Sequence, residues 1–82
     1  MKSTQLQLII NRLTAMVNDD RQEKQVRQFE IFGLLVGTVI YDHSTELFTV
    51  VDNRNNQEYI FDDIDLVAVE IFDAINTLKV TF

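Results

Sequence analysis

Five carboxylates fall between residues 62 and 73: Asp62, Asp63, Asp65, Glu70 and Asp73. Oxygen ligands at that density are what Mg²⁺ or Ca²⁺ requires. On a helix Asp62 and Asp65 stand three residues apart, as do Glu70 and Asp73, so each pair could clamp a cation weakly. The run lacks the loop spacing and the glycine of a calcium hand. Aspartates at a helix start also serve as caps and as charges facing its positive end. Capping is the expected role, with a weak ion site on Asp62, Asp63 and Asp65 as the alternative. No dedicated metal site and no cofactor is expected.

His43, the only histidine, stands between Asp42 and Ser44 and offers a base beside a nucleophile. Catalytic groups converge from separate elements and are oriented by a third partner, so three consecutive residues of these types are expected to form a solvated hairpin turn. Gly33 and Gly37 are the only glycines and no lysine follows them, which excludes a phosphate-cradling loop. Gly37 marks a bulge or a close approach of another backbone. Cysteine is absent, so thiolate catalysis, thiolate zinc sites and disulfides are excluded. No catalytic constellation is present, and a non-enzymatic protein is expected.

Arg12, Arg21, Lys24 and Arg27 make a local basic cluster that could hold a phosphate or an acidic partner. The simpler reading is that they solvate a connector or pair with the acidic helix of the same or a neighbouring protomer, since exposed pairs contribute only about 0–1 kcal/mol and need no function to exist. The formal net charge is −6; the first thirty residues hold five basic and four acidic groups, the rest two basic and nine acidic. That field repels phosphate backbones and anionic lipid, so neither nucleic acid nor a membrane surface is an expected partner.

The elements that must carry these residues are legible from periodicity. Leu6, Ile9, Ile10, Leu13, Met16 and Val17 recur at helical spacing, with Asn11, Arg12, Thr14 and Asn18 between them. Thr4 and Gln7 fit a capping box, with Ser3 as the alternative cap. Asn18 to Gln25 is polar throughout and reads as exit and connector. From Val26 the period becomes two, with Phe29 and Ile31 opposite Gln28 and Glu30, until Gly33. Leu34–Tyr41, Leu47–Val51 and Glu58–Phe61 follow as strands, separated by polar turns at 42–45 and 52–56. Such short connections favour an antiparallel arrangement, with strand order left open. Ile64, Val67, Ala68, Ile71, Phe72, Ile75 and Leu78 then share one helical arc; a fifth strand over Leu66–Phe72 is the rival reading, which Glu70 and Asp73 on the polar helical face disfavour.

Arg27-Gln28-Phe29-Glu30, Val39, Tyr41, Phe48 and the long run Tyr59 to Phe72, with its Phe-Asp-x-Ile-Asp leading into Glu-Ile-Phe, resemble the YkuJ-like family of short bacterial proteins of low-GC Gram-positive organisms. The resemblance spans nearly the whole chain. It implies an α+β fold with a helix at each end of an antiparallel sheet, and no activity or site residues. At the first hairpin this chain has Phe32 where a relative has Asn, and a bulky residue at positive φ is disfavoured, so a type II or longer turn is expected.

The expected fold is a single domain over 1–82, two-layered, with two helices on one face of a three- to four-stranded antiparallel sheet in the order α-β-β-β-β-α. Alternation assigns Phe29, Ile31, Leu35, Val39, Tyr41, Phe48, Val50, Tyr59 and Phe61 to the covered face. The opposite face should carry Val36, Thr38, Ile40, Leu47, Thr49, Val51 and Ile60, unless a bulge at Gly37 swaps part of the second strand. A solvated face should be more polar than that. Its aliphatic residues make a patch of roughly 400 Å², near the upper range for monomers. Leu66 and Val69 add apolar groups to the polar side of the second helix, unless a loop covers them.

A homodimeric interaction or regulatory protein is therefore the expected function, acting through Val36, Ile40, Leu47, Val51 and Ile60, with Leu66 and Val69 on the acidic helix. An unidentified protein partner is an outcome of the same reading. The alternative is a protein that binds a small molecule or divalent ion in a pocket between helices and sheet, with Tyr41, Tyr59 and the Asp62–Asp65 segment supplying polar groups. The longest early apolar run, Leu8-Ile9-Ile10, falls far short of a signal-peptide core or membrane span, and the more apolar stretch from Phe32 to Tyr41 is only about ten residues long and holds two glycines, so a cytoplasmic protein is expected.

Overall fold

The computed structural model describes residues 2–31, 33–53 and 55–81, with the side chains of residues 2–5, 31 and 78–81 outside the description. Helix α1 spans Lys2–Asn18, strands β1 to β4 span Lys24–Ile31, Leu34–Asp42, Leu47–Asp52 and Gln57–Phe61, and helix α2 spans Ile64–Thr81. The sheet is an antiparallel meander in the order β1-β2-β3-β4, which fixes the strand order the sequence left open.

Helix α1 forms because Ile9, Leu13 and Met16 repeat at four- and three-residue intervals, and all three are buried, flanked by half-buried Leu6, Ile10 and Val17. It starts at Lys2, ahead of Thr4; the capping contacts expected of Ser3 and Thr4 lie outside the described residues. It ends where the Asp19 N–H donates to the Ala15 and Met16 carbonyls at 3.0 and 3.3 Å. Helix α2 buries Val67, Ala68, Ile71, Ala74 and Ile75, so the segment at 66–72 is helix and not a fifth strand. Leu78, assigned to the same arc, has its side chain outside the described residues.

Asp63 caps α2: its carboxylate accepts from the Asp65 N–H at 2.8 Å and its carbonyl from the Val67 N–H at 3.2 Å. Both helices lie on one face of the sheet and against each other, α1 over β1 and α2 over β2, β3 and β4. Phe29, Val39, Tyr41, Phe48 and Val50 meet them as expected, whereas Tyr59 and Phe61, on edge strand β4, are only partly covered. Ile31, expected among them, has its side chain outside the described residues.

The sheet departs from simple alternation at one point. Phe29 pairs with Gly37 but Glu30 pairs with Leu35, so Val36 is an extra residue on β2. Its carbonyl accepts from the Asn53 N–H at 3.0 Å. The bulge turns Val36 into the core, where it is 1% exposed, and leaves Leu35 37% exposed. Both assignments are thereby corrected: Val36 is not an outer-face residue and Leu35 is not a core residue. Beside the bulge, a Cβ on Gly37 would stand 3.0 Å from Ile71 Cδ1, so the glycine permits the close approach of α2.

Left-handed residues close the hairpins. Gly33 has φ 76°; the turn type expected at this hairpin depends on Phe32, which lies outside the described residues. Glu46 and Asn56 take φ 60° and 58° in the next two turns. In the connector after α1, the Arg21 guanidinium donates to both carboxylate oxygens of Asp19, at 2.8 and 2.7 Å, and the Arg21 N–H donates at 3.2 Å. Those bonds, the side-chain ones foremost, bring the Asp19 pKa down to about 2. Because the folded value is depressed, the contribution to stability is present above the ordinary 3.8 and is lost as pH falls through about 2. Arg21→Ala should raise the Asp19 midpoint, followed by carboxyl NMR, yet leave it short of 3.8 because the residue 21 N–H still donates. An unmoved midpoint would mean the guanidinium contributes nothing.

Candidate functional site

The uncovered face of the sheet is built by register. Val26, Ile40, Thr49 and Ile60 pair in succession and form one row across all four strands. Gln28, Thr38, Val51 and Glu58 form the next row. Ile60 is 67% exposed and Val26 51%, with Leu47 and Leu35 more than a third exposed and Ile40 and Val51 half-buried. Val26 was missed in the reading of the face, although it shares parity with Gln28 and Glu30, which were placed there. Leu35 could not be placed without knowing where the bulge falls.

The expected interface residues thus separate into three places. Ile40, Leu47, Val51 and Ile60 lie on the outer face, and Val36 is in the core. Leu66 and Val69 are exposed on the side of α2 turned away from its buried residues, in the other layer, so among the described residues no loop covers them and they do not join the sheet patch.

At the opposite side of the sheet, where the β2–β3 hairpin meets the end of α1 and the start of α2, lies a cavity of about 510 Å³. Val17, Phe48 and Ile64 form its apolar lining, with Leu47 at the strand end; Tyr41, Thr45, Glu46 and Asp62 supply the polar groups. Tyr41 is 6% exposed, packed against Phe48 with ring centroids 4.6 Å apart and edge-on to His43 at 4.8 Å. Burial, then the charges of Glu46 and Asp42, raise the Tyr41 pKa above the ordinary value. Of the pocket residues expected from sequence, Tyr41 and Asp62 meet here. Tyr59 does not: its ring stacks on Phe61 on edge strand β4.

The weak ion site is not assembled, because Asp63 is committed to capping α2 and Asp65 is exposed on its first turn. Among the described residues no three or more His, Asp or Glu groups are placed to hold a metal. At the hairpin, Ser44 donates from both its N–H and its hydroxyl to the Asp42 carboxylate, at 2.9 and 2.7 Å. The Ser44 hydroxyl first, then its N–H, holds the Asp42 carboxyl below its usual range. This is a turn, as expected, but His43 is not fully solvated: it is half-buried, with Nε2 sealed from solvent and unpartnered among the described residues.

The basic cluster is dispersed along α1, the connector after it and β1. Arg21 binds Asp19, Arg27 donates to the Val26 carbonyl, and Arg12 donates to the Gln28 carbonyl while its guanidinium carbon lies 4.5 Å from the centre of the Phe29 ring. Among the described residues no helix is long and apolar enough to cross a membrane.

A meander with both helices on one face and an apolar row on the other defines a two-layer α+β protein of α-β-β-β-β-α order. Residues 9–75 match the family described as "Protein of unknown function (DUF1797)", and the chain belongs to that family. It is also similar to the YkuJ protein from Bacillus subtilis, known from an X-ray structure: the two share 31% identity with a TM-score of 0.78, over 85% of this chain and 95% of that one. The YkuJ-like resemblance carried by the sequence motifs is therefore correct, and so is the fold it implied. No curated protein matches the chain.

Proposed function

We propose that this protein is a non-enzymatic, cytoplasmic interaction protein that self-associates through the outer face of its sheet. The observation that supports the reading is the in-register row Val26–Ile40–Thr49–Ile60, uncovered at both ends, on a sheet whose other face is packed under two helices. A second copy fits this face by symmetry. A two-fold axis lying between two such faces and parallel to the strands sets β1 over β4 of the other copy. Val26 then meets Ile60 of the partner subunit, and Gln28 meets Glu58 of the partner subunit, an amide donor opposite a carboxylate. With strands about 4.8 Å apart, the face measures roughly 20 by 20 Å. Each copy would bury about half of the roughly 800 Å² per partner of a standard interface, so the dimer would be reversible.

Light scattering over a range of concentrations should give a mass that rises from monomer to dimer. Ile60→Glu, at the most exposed position of the row, should hold the chain monomeric with its circular dichroism unchanged, while Val69→Glu on the back of α2 leaves the dimer intact. A native chain that stays monomeric, or a dimer that survives Ile60→Glu, overturns the reading.

A further inference from the structure

We infer that the free edge of β4 takes up a short, extended, cationic peptide segment as a further strand of the sheet. Which backbone groups lie free at the two edges follows from the ladder. The His43 N–H donates to the Glu23 carbonyl at 2.8 Å, one step beyond the Lys24–Asp42 pair. Bonded and non-bonded pairs alternate in an antiparallel ladder, so Gln25 and Arg27 bond β2 while Val26 and Gln28 turn their N–H and C=O groups outward. Carried across the register, Ile40 bonds Thr49 and Val50 bonds Tyr59, which leaves the backbone groups of Glu58 and Ile60 facing outward from β4.

The two edges differ in what meets them. On β1 the outward carbonyls are occupied: Val26 accepts from the Arg27 guanidinium at 3.1 Å and Gln28 from that of Arg12 at 3.3 Å. On β4 no described residue bonds the outward N–H or C=O of Glu58 or Ile60. Unpaired edge groups flanked by exposed side chains are a template for strand addition. Glu58 and Ile60 are exposed on the outer face, and Tyr59 is 37% exposed on the other. Glu58 and the carboxylates that follow the strand, Asp62, Asp63 and Asp65, set the charge of the occupant, since none of them forms an ion pair among the described residues. A second copy of β4 would bring the same four anions against these, whereas a cationic strand neutralises them. The edge therefore selects an aliphatic residue opposite Ile60 and a lysine opposite Glu58. The contact lies in the plane of the sheet, so it does not depend on the face-to-face dimer.

The test is NMR titration and amide hydrogen exchange of the full chain with the acetylated, amidated hexapeptide Lys-Thr-Val-Val-Lys-Thr. Laid antiparallel to β4, its first valine stands opposite Ile60 and its second lysine opposite Glu58. In the free chain the Glu58 and Ile60 amides should exchange faster than those of Tyr59 and Phe61, and peptide at ten times its Kd should slow the first two about tenfold. The same peptide N-methylated at its first valine lacks the N–H that meets the Ile60 carbonyl and should bind about tenfold more weakly or worse. Glu58→Lys, with its circular dichroism unchanged, should weaken binding of the lysine peptide and strengthen that of Glu-Thr-Val-Val-Glu-Thr. No saturable movement, equal binding of the N-methylated peptide, equal binding of the glutamate peptide to the native chain, or movement centred on Val26 and Gln28 overturns the proposal. So does protection of the Glu58 and Ile60 amides that rises with protein concentration alone, which would make a second copy the occupant.

Discussion

Val36→Asp is expected to abolish the folded state, whereas Ile60→Asp on the outer face should leave it intact. Both replace a β-branched aliphatic residue of the sheet with the same charge, and simple alternation would have placed both on the outer face. The bulge separates them: Val36 is 1% exposed and Ile60 67%. An unpaired carboxylate in the core costs several kcal/mol even after relaxation. A domain of this size has about 4–12 kcal/mol of stability in total, so that single term removes most of it. At position 60 the aspartate stays hydrated and its cost is that of an exposed strand substitution, within about 1 kcal/mol. Far-UV circular dichroism through a urea titration reads the difference directly. A cooperative Val36→Asp transition with a near-native midpoint would return that side chain to the solvent face and remove the bulge from the sheet.

The helices, the strands and the antiparallel pairing were legible in the sequence because each rests on a local period. Ile9, Leu13 and Met16 repeat as a helix must, and Phe48 and Val50 alternate as a half-covered strand must. The asparagine-rich turn was legible for the same reason: Asn56 takes the left-handed backbone its side chain tolerates, and Asn55 accepts from the Gln57 N–H at 3.1 Å. What was lost lay beyond local pattern. Gly37 signalled an irregularity in β2, but whether the extra residue sits at Gly37 or before it depends on the facing strand, where Phe29 selects Gly37 and Glu30 selects Leu35. That one residue exchanged Val36 with Leu35 and altered the apolar face. The cavity was half legible: Tyr41 and Asp62 were anticipated as polar groups, while Glu46 was not, since only the path of the turn brings it beside a residue sixteen positions away. Of the two roles open to the basic cluster, solvating the connector or pairing with the acidic helix, Arg21 takes the first. Pairing with Asp19, two residues away, orders far less chain than reaching the acidic helix would.

The bulge also sets up the second large effect. Phe29 is 2% exposed, lies under the Arg12 guanidinium, and pairs across the strands with Gly37, which has no side chain to fill its share of the face. Ile71 Cδ1 occupies the space a Cβ on Gly37 would need. A large aromatic opposite a strand glycine, closed over by α2, is a packing unit whose members cannot be changed independently. Phe29→Ala should therefore cost about 3–5 kcal/mol through lost burial and the cavity it opens. Gly37→Ala should cost about 1–3 kcal/mol in the native background, because fully buried Ile71 has no free volume into which to retreat. In the Phe29→Ala background the same methyl should cost less, since the vacated ring volume lets the neighbours relax. Urea unfolding of the two single variants and the double variant should therefore give a coupling of at least about 0.5 kcal/mol, with the double variant more stable than the sum of its parts. Strict additivity would mean that Phe29 and Ile71 fill separate spaces, and that the close approach at Gly37 is set by the α2 backbone rather than by the packing around the bulge.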